Sequence, residues 1–325
     1  MTNPTLVIAK KEYRDSLRSA LFIALASFMV LLAAVSILVA SFNFQTEVTQ
    51  YHAALSQLTA AERAGAVIPA PSYYPLLMLR GTIEYLEIIG AVLAIVLGYL
   101  AVAKEKGTNA SRLLLSRPVS RSALVSGKIL GASLLMLTLL VFLEGGIVLA
   151  ITGIGQVAFS PAELLKLTLS FAYTYFYLLF FFCFSAALTL FFKDLPRALL
   201  FSFAIWLVFV LIIPQIGDTM DPDNQVPGGF FASMHVTQSQ QSAVIAQFKG
   251  YENFRNALEV SSIEKHYERL VFATLGIKGM YNDKPLGYIM IDKWQDLALL
   301  LIFYAAGIGA VFLFATNKRI MNSSP

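Results

Sequence analysis

The chain alternates long apolar runs with short polar ones, and the length of the runs decides the fold class. A helix needs about 20 largely apolar residues to cross the hydrocarbon core of a bilayer. Six stretches qualify, at 20–42, 83–103, 129–152, 167–192, 198–217 and 297–317. The first lies in a charge-free window from Ser19 to Thr46, and the second carries only Glu84 and Glu87, both near its start. The third holds one charge, Glu144; the fourth is crowded with aromatics from Phe171 to Phe182; the fifth contains Pro214. Lys10, Lys11, Arg14 and Arg18 precede the first run, as in a signal peptide, but that run exceeds the usual core of about 7–15 residues. It reads as a retained span. The pattern predicts an all-α polytopic membrane protein with six transmembrane helices.

Composition agrees. Of 325 residues, 57% are apolar and 14% charged, against about 45–50% and about 25% in ordinary soluble domains. That excludes a cytosolic globular enzyme, a disordered chain and a disulfide scaffold. The single cysteine, Cys183, leaves no intramolecular disulfide and no CxxC motif. No basic, aromatic-interleaved patch suggests a nucleic-acid partner.

Lysine and arginine placement sets the orientation. With the N-terminus in the cytoplasm, the inner segments hold the four basic residues before span one and six between Lys104 and Lys128. They also hold Lys193, Arg197, Lys318 and Arg319, and together carry more than half of the 24 basic residues. Both termini are then cytoplasmic in a multi-pass protein of the cell (inner) membrane. The organisation expected is a cytoplasmic interfacial helix at 1–19 and spans one to five over 20–217, with an outer loop at 43–82 and a cytoplasmic loop at 104–128. An extracytoplasmic segment follows at 218–293, then span six and a short tail at 294–325. Thr46 to Ala64 looks helical, Asp221 to Gly229 is turn-rich, and 239–275 reads as helix, with Val244, Phe248, Tyr251, Leu258 and Tyr267 at near-helical spacing.

Two cytoplasmic stretches hold the clearest signals. From Val7 to Ser19 the apolar positions segregate from Lys10, Lys11, Arg14 and Arg18, which suits a helix lying in the bilayer interface. The loop reads Ala103-Lys-Glu-Lys-Gly-Thr108, then Arg112-Leu-Leu-Leu-Ser-Arg-Pro-Val-Ser-Arg121, then Gly127-Lys128. It predicts a short Leu-rich helix, a turn at Pro118, and Ser120 as the cap of the helix leading into span three.

Glu105, Gly107-Thr108, Leu113-Leu114, Arg117-Pro118-Val119-Ser120-Arg121 and Gly127-Lys128 resemble the coupling-loop signature of type-2 ABC exporter permeases. Ala9-Lys-Lys-Glu-Tyr13, followed by Leu17-Arg18-Ser19, is similar to the start of the same family; the subgroup most resembled is the permease component associated with multicopper-enzyme maturation. The resemblance does not extend into 218–293. It implies a permease that pairs with a second copy of itself, through spans one, two and five, and with two copies of an ABC ATPase. The ATPase would engage Glu105, Gly107, Thr108, Arg112, Leu113, Leu114, Arg117, Pro118 and Arg121. The chain has no GxxxxGK[ST] phosphate loop, so it is expected to be no enzyme and to hold no cofactor; ATP and Mg would sit in the partner.

Three acids stand in or beside spans: Glu144, Glu84 and Glu87. A charge at the bilayer centre costs about 2.5–3.5 kcal/mol on insertion scales, so Glu144 is expected at a cavity, at a partner, or in water beside Gly145-Gly146. Glu84 and Glu87, one turn apart, suit an outer vestibule. The three histidines, His52, His235 and His266, lack ligand spacing, and no metal site is expected. An ATP-driven exporter in the lipid bilayer is the leading function. The alternatives are a mechanotransmission complex acting on an extracytoplasmic partner protein, and an ion-coupled secondary carrier.

Overall fold

All six apolar runs form helices in the computed structural model, which describes residues 3–57, 74–106, 120–221, 230–234, 236–282 and 284–316. The spans are Ala20–Gln57, Pro75–Lys106, Arg121–Gly153, Pro161–Phe191, Leu195–Met220 and Trp294–Phe314. No strand occurs among the described residues. Most spans extend beyond their apolar runs because capping residues, not hydropathy, set their ends. Ser120 accepts from the Ala123 N–H and starts span three. Ser160 and Glu163 form a capping box, with Pro161 in the first turn, and start span four. Span one has 38 residues, or about 57 Å of helix, far more than the roughly 30 Å of the hydrocarbon core. The helix expected to begin at Thr46 is therefore the continuation of span one, with Glu47, Gln50 and His52 on its last turns.

Span four is the centre of the bundle. Spans two, three, five and six and the Ile263–Thr274 helix all pack on it. Its aromatics are packing residues: Phe171, Tyr173, Tyr177, Phe181 and Phe182 are buried. Tyr177 stacks on Tyr267 with ring centroids 4.4 Å apart. Spans two and four approach most closely at Gly98, where a Cβ would lie 2.2 Å from the Phe182 carbonyl oxygen. Helices in lipid gain by such backbone proximity, because apolar side chains alone do not favour a neighbouring helix over the lipid tails.

Two spans are irregular. Span two contains a π turn at Leu86–Gly90 and span five another at Leu207–Ile212. In span five, Pro214 lacks the N–H that would bond the Val210 carbonyl, and its ring crowds that carbonyl. The widened turn accommodates it.

The segment between spans five and six is helical, as expected, but divided. Gln238–Gln247, Lys249–Ser261 and Ile263–Thr274 are separate helices. The apolar positions predicted to share one face do not: Val244, Phe248 and Tyr251 are exposed, whereas Tyr267 is fully buried. Ile263–Thr274 is buried along most of its length against spans four and six and the π turn of span five.

Candidate functional site

The N-terminal helix, Pro4–Leu17, begins with the Asn3 side chain accepting from the Thr5 N–H and stops before Ser19. It lies along the start of span three. Gly127 and Gly131, four residues apart, share the face beneath it. A Cβ on Gly127 would meet Ile8 at 2.7 Å and the Thr5 carbonyl at 2.9 Å; one on Gly131 would meet the Ala9 carbonyl at 2.8 Å. The glycines let two backbones touch, and Ala9 is buried between them.

That contact brings Glu12 to Lys128, 116 positions apart in sequence. Lys128 Nζ lies 2.8 Å from Glu12 Oε1 and 2.8 Å from Glu105 Oε1, and donates to the Ala101 carbonyl at 2.7 Å. An ammonium has three N–H groups, and each is used. The three side chains are only 10–14% exposed, so water screens the cluster little. The residue after Glu105 makes a contact in another direction. Lys106 Nζ donates to the carbonyls of Thr189 and Phe192 at 2.8 Å and of Leu190 at 3.3 Å. These are carbonyls at the end of span four, where a helix leaves acceptors unpaired and a cation is favoured. The end of span two is therefore fastened to span four on one side, and to span three and the N-terminal helix on the other.

Of the expected coupling residues, Gly107, Thr108, Arg112, Leu113, Leu114, Arg117 and Pro118 lie outside the described residues. Arg121 is the exposed first residue of span three. Glu105 was expected to reach outward to a partner; it is turned inward onto Lys128 and serves as an anchor. Glu12 and Lys106 were not singled out from sequence. The signal for Glu12 was present, since Ala9-Lys-Lys-Glu12 and Gly127-Lys128 both belong to the motifs that carry the resemblance, and they meet in space.

The other acids separate in the same way. Glu84 forms an exposed i,i+4 pair with Arg80 at 3.1 Å, a surface arrangement of small energetic weight. Glu144 is half-buried and accepts from Thr168 Oγ1 at 2.5 Å, joining span three to span four. Glu87 is no vestibule acid. It is buried in the π turn of span two, whose Glu87 carbonyl accepts from Tyr177 Oη of span four at 3.0 Å. Beyond it, a polar cavity of about 550 Å³ is bordered by Asp218, Asp221, Arg255, Lys265, Glu268 and Arg269, among others. Its charges are largely paired: Arg255 with Asp221 and Glu252 at 2.7 Å each, Lys265 with Asp218 at 2.9 Å and Glu268 at 2.7 Å, and Arg269 with Glu259. Burial opposes the charge on Lys265, but Glu268 and Glu264 outweigh it and hold the ammonium above its ordinary pKa. His266 binds Asp296 through Nδ1 at 2.8 Å and contacts the Val260 carbonyl through Nε2 at 3.0 Å.

The sequence matches the model of the ABC-2 family transporter proteins over residues 6–318. The chain belongs to that family. A comparison with curated proteins finds none that matches. As an ABC-2 permease, the chain is the membrane subunit of an ABC transporter, and its family implies an ABC ATPase as partner. In this permease, residues 107–119 are flanked on one side by Glu105 and Lys106 and on the other by the exposed cap Ser120, followed by Lys128; Glu105, Lys106 and Lys128 are held within the bundle.

Proposed function

We propose that this ABC-2 permease is an exporter subunit working as a homodimer, driven by two ATPase subunits that dock on the loop 107–119 and the N-terminal helix. The observation that carries the reading is the Glu12–Lys128–Glu105 cluster. A loop attached to mobile helix ends would absorb an ATPase's motion. Here both flanks are fixed to the same cluster, so a push on the loop displaces spans two and three and the N-terminal helix together, and Lys106 passes it to span four. Glu105 positions the loop, while Leu113 and Leu114 are left to supply its apolar anchor and Arg112 and Arg117 its charge-assisted bonds. The likeness to permeases of multicopper-enzyme maturation rests on these same motifs.

The dimer face proposed here is narrower than the one expected from the sequence. Span two is mostly buried inside the chain, whereas spans one and five leave apolar side chains such as Leu31, Val39, Leu207 and Ile216 exposed. These two spans are proposed to meet the second copy.

Leu114→Asp should abolish co-purification of the ATPase, because an unpaired charge in an apolar groove costs several kcal/mol, while membrane insertion persists. Ser56→Asp should leave the complex intact. Normal ATPase recovery with Leu114→Asp would refute the docking assignment. Orientation has a separate check. Cys183 is buried, so introduced cysteines report alone: Ser56→Cys and Ser261→Cys, both exposed positions, should react from outside the cell, and Ser116→Cys only after permeabilisation. Labelling of Ser116→Cys in intact cells would invert the topology.

A further inference from the structure

The Lys249–Ser261 helix does not stand away from the bundle; it runs back along span five. Tyr251 Oη donates to the Met220 carbonyl, at the outer end of that span, at 2.9 Å. Farther on, the Glu259 side chain closes on Gly217, where a Cβ would lie 2.9 Å from its Cγ. Ser262, just past the helix, donates to the Phe209 carbonyl in the π turn of span five. Eleven residues separate the first of these contacts from the last on either helix, roughly 16 Å of descent. Phe209 lies nine residues inside Asp218, the charge that closes the apolar run of span five. Ser262 is therefore roughly 13 Å into a hydrocarbon core about 30 Å thick. The chain then returns. Ile263–Thr274 packs on spans four and six, with Tyr267 bonded to Thr174 at 2.9 Å. Gly276, at φ +68°, brings the backbone against the ring of Tyr74, just before span two.

The turn at that depth satisfies its own polar groups, as non-helical backbone away from water must. The Leu258 carbonyl accepts from Ser261 Oγ at 2.6 Å, the Glu259 carbonyl from the Ser262 N–H at 3.1 Å, and the Val260 carbonyl meets His266 Nε2 at 3.0 Å. Ser262 Oγ accepts from the Glu264 N–H at 3.2 Å. The helix above the turn is also sorted by face. Glu252, Arg255 and Glu259, spaced i, i+3, i+7, are turned inward and ion-paired, and Arg255 and Glu259 border the polar cavity. Tyr251, Phe254 and Leu258 have the same spacing one position away; Leu258 is half-buried, Tyr251 is exposed, and Phe254 is 59% exposed. Their line adjoins the exposed apolar side chains of span five, such as Leu207, Ile212 and Ile216. Asn253 and Asn256 leave the other flank polar.

We propose that residues 249–276 form a hairpin that re-enters the outer leaflet, with the Tyr251–Phe254–Leu258 line against lipid acyl chains and the Glu252–Arg255–Glu259 line walling a water-filled cavity at membrane depth. Lipid is the occupant because the line lies alongside the outer half of a span, where acyl chains are the surrounding solvent. Charges at that depth face a cavity or pair with one another, and the inward line does both. The sequence expectation of an extracytoplasmic segment over 218–293 is thereby narrowed, since the part from 249 to 276 lies within the bilayer. The hairpin enters and leaves by the same face, so its tip stays on the outer side of the permeability barrier and is reached from outside along the polar flank. The proposal goes beyond ATPase docking and does not depend on it.

The test places a nitroxide on single introduced cysteines of the full chain in phosphatidylcholine nanodiscs; Cys183 is buried and does not compete. Power saturation then compares collisions with oxygen, which concentrates in lipid, and with a neutral nickel chelate, which stays in water. A label on Phe254→Cys should favour oxygen severalfold. On Tyr251→Cys, one turn nearer the surface, the preference should keep its sign and shrink. Asn256→Cys, on nearly the opposite side of the helix from Phe254, should favour nickel, as should Ser56→Cys on the far end of span one. Labels at both 251 and 254 that favour nickel would put the helix in water and overturn the proposal. A label at 254 shielded from both reagents, and broadened by a second label until unlabelled chain is mixed in, would overturn it too, because a second copy would then cover that face.

Discussion

Lys128→Met is expected to destabilise the folded permease by about 3–5 kcal/mol, the usual consequence of removing one partner from a buried ion pair. Glu12 and Glu105 each lie 2.8 Å from Lys128 Nζ. Without the ammonium, two nearly buried carboxylates face each other, and the Ala101 carbonyl loses its donor. The expected result is a lower melting temperature in detergent and a marked fall in ATPase co-purification, because the loop is then attached to helix ends that move independently. The triple variant Glu12→Gln, Glu105→Gln and Lys128→Met discriminates between charge and shape. A neutral replacement of a buried ionic cluster is often nearly neutral in stability, so it should recover most of the melting temperature. If the single variant melted like the native chain, Lys128 would not be holding the three helices together.

Gly98→Val should be comparably severe, by a steric route. The added Cβ would sit 2.2 Å from the Phe182 carbonyl oxygen and 3.1 Å from the Ala186 nitrogen. Both are backbone atoms, so no rotamer change relieves the clash, and spans two and four must separate. Overpacking costs about 1–3 kcal/mol where side chains can yield, and occasionally more; here nothing yields, and the bundle's central contact is the one affected. Loss of monodisperse protein on size exclusion is expected. Gly145→Val and Gly309→Val, where a Cβ meets nothing within 4 Å, should elute normally. A well-folded Gly98→Val protein would contradict the close packing of spans two and four.

Span number was legible because hydrocarbon thickness imposes a length on apolar runs, and all six runs meet it. Span ends were less legible, since caps such as Ser160 with Glu163 extend a helix beyond its apolar stretch. Ser120 was readable because a serine after Pro118 has one obvious role there. Lys106 and Lys128 count in sequence as two more positive-inside charges. Their burial depends on acceptors supplied from far along the chain, at Thr189 and Phe192 and at Glu12. The Ile263–Thr274 helix was the least legible. Ile263-Glu-Lys-His-Tyr-Glu-Arg269 has the composition of a solvated helix, and only the spans around it give Lys265 and His266 the partners Asp218 and Asp296 that permit burial. The π turn of span five, against which it packs, has no sequence signature apart from Pro214.

The central claim, that an ATPase drives this permease through the loop 107–119, is tested most directly by placing a photo-crosslinking residue at Leu114 in intact membranes. The account predicts a covalent adduct between the permease and its ATPase subunit, and none when the same residue stands at Ser56. Adducts to lipid alone from position 114, with the ATPase present, would contradict it.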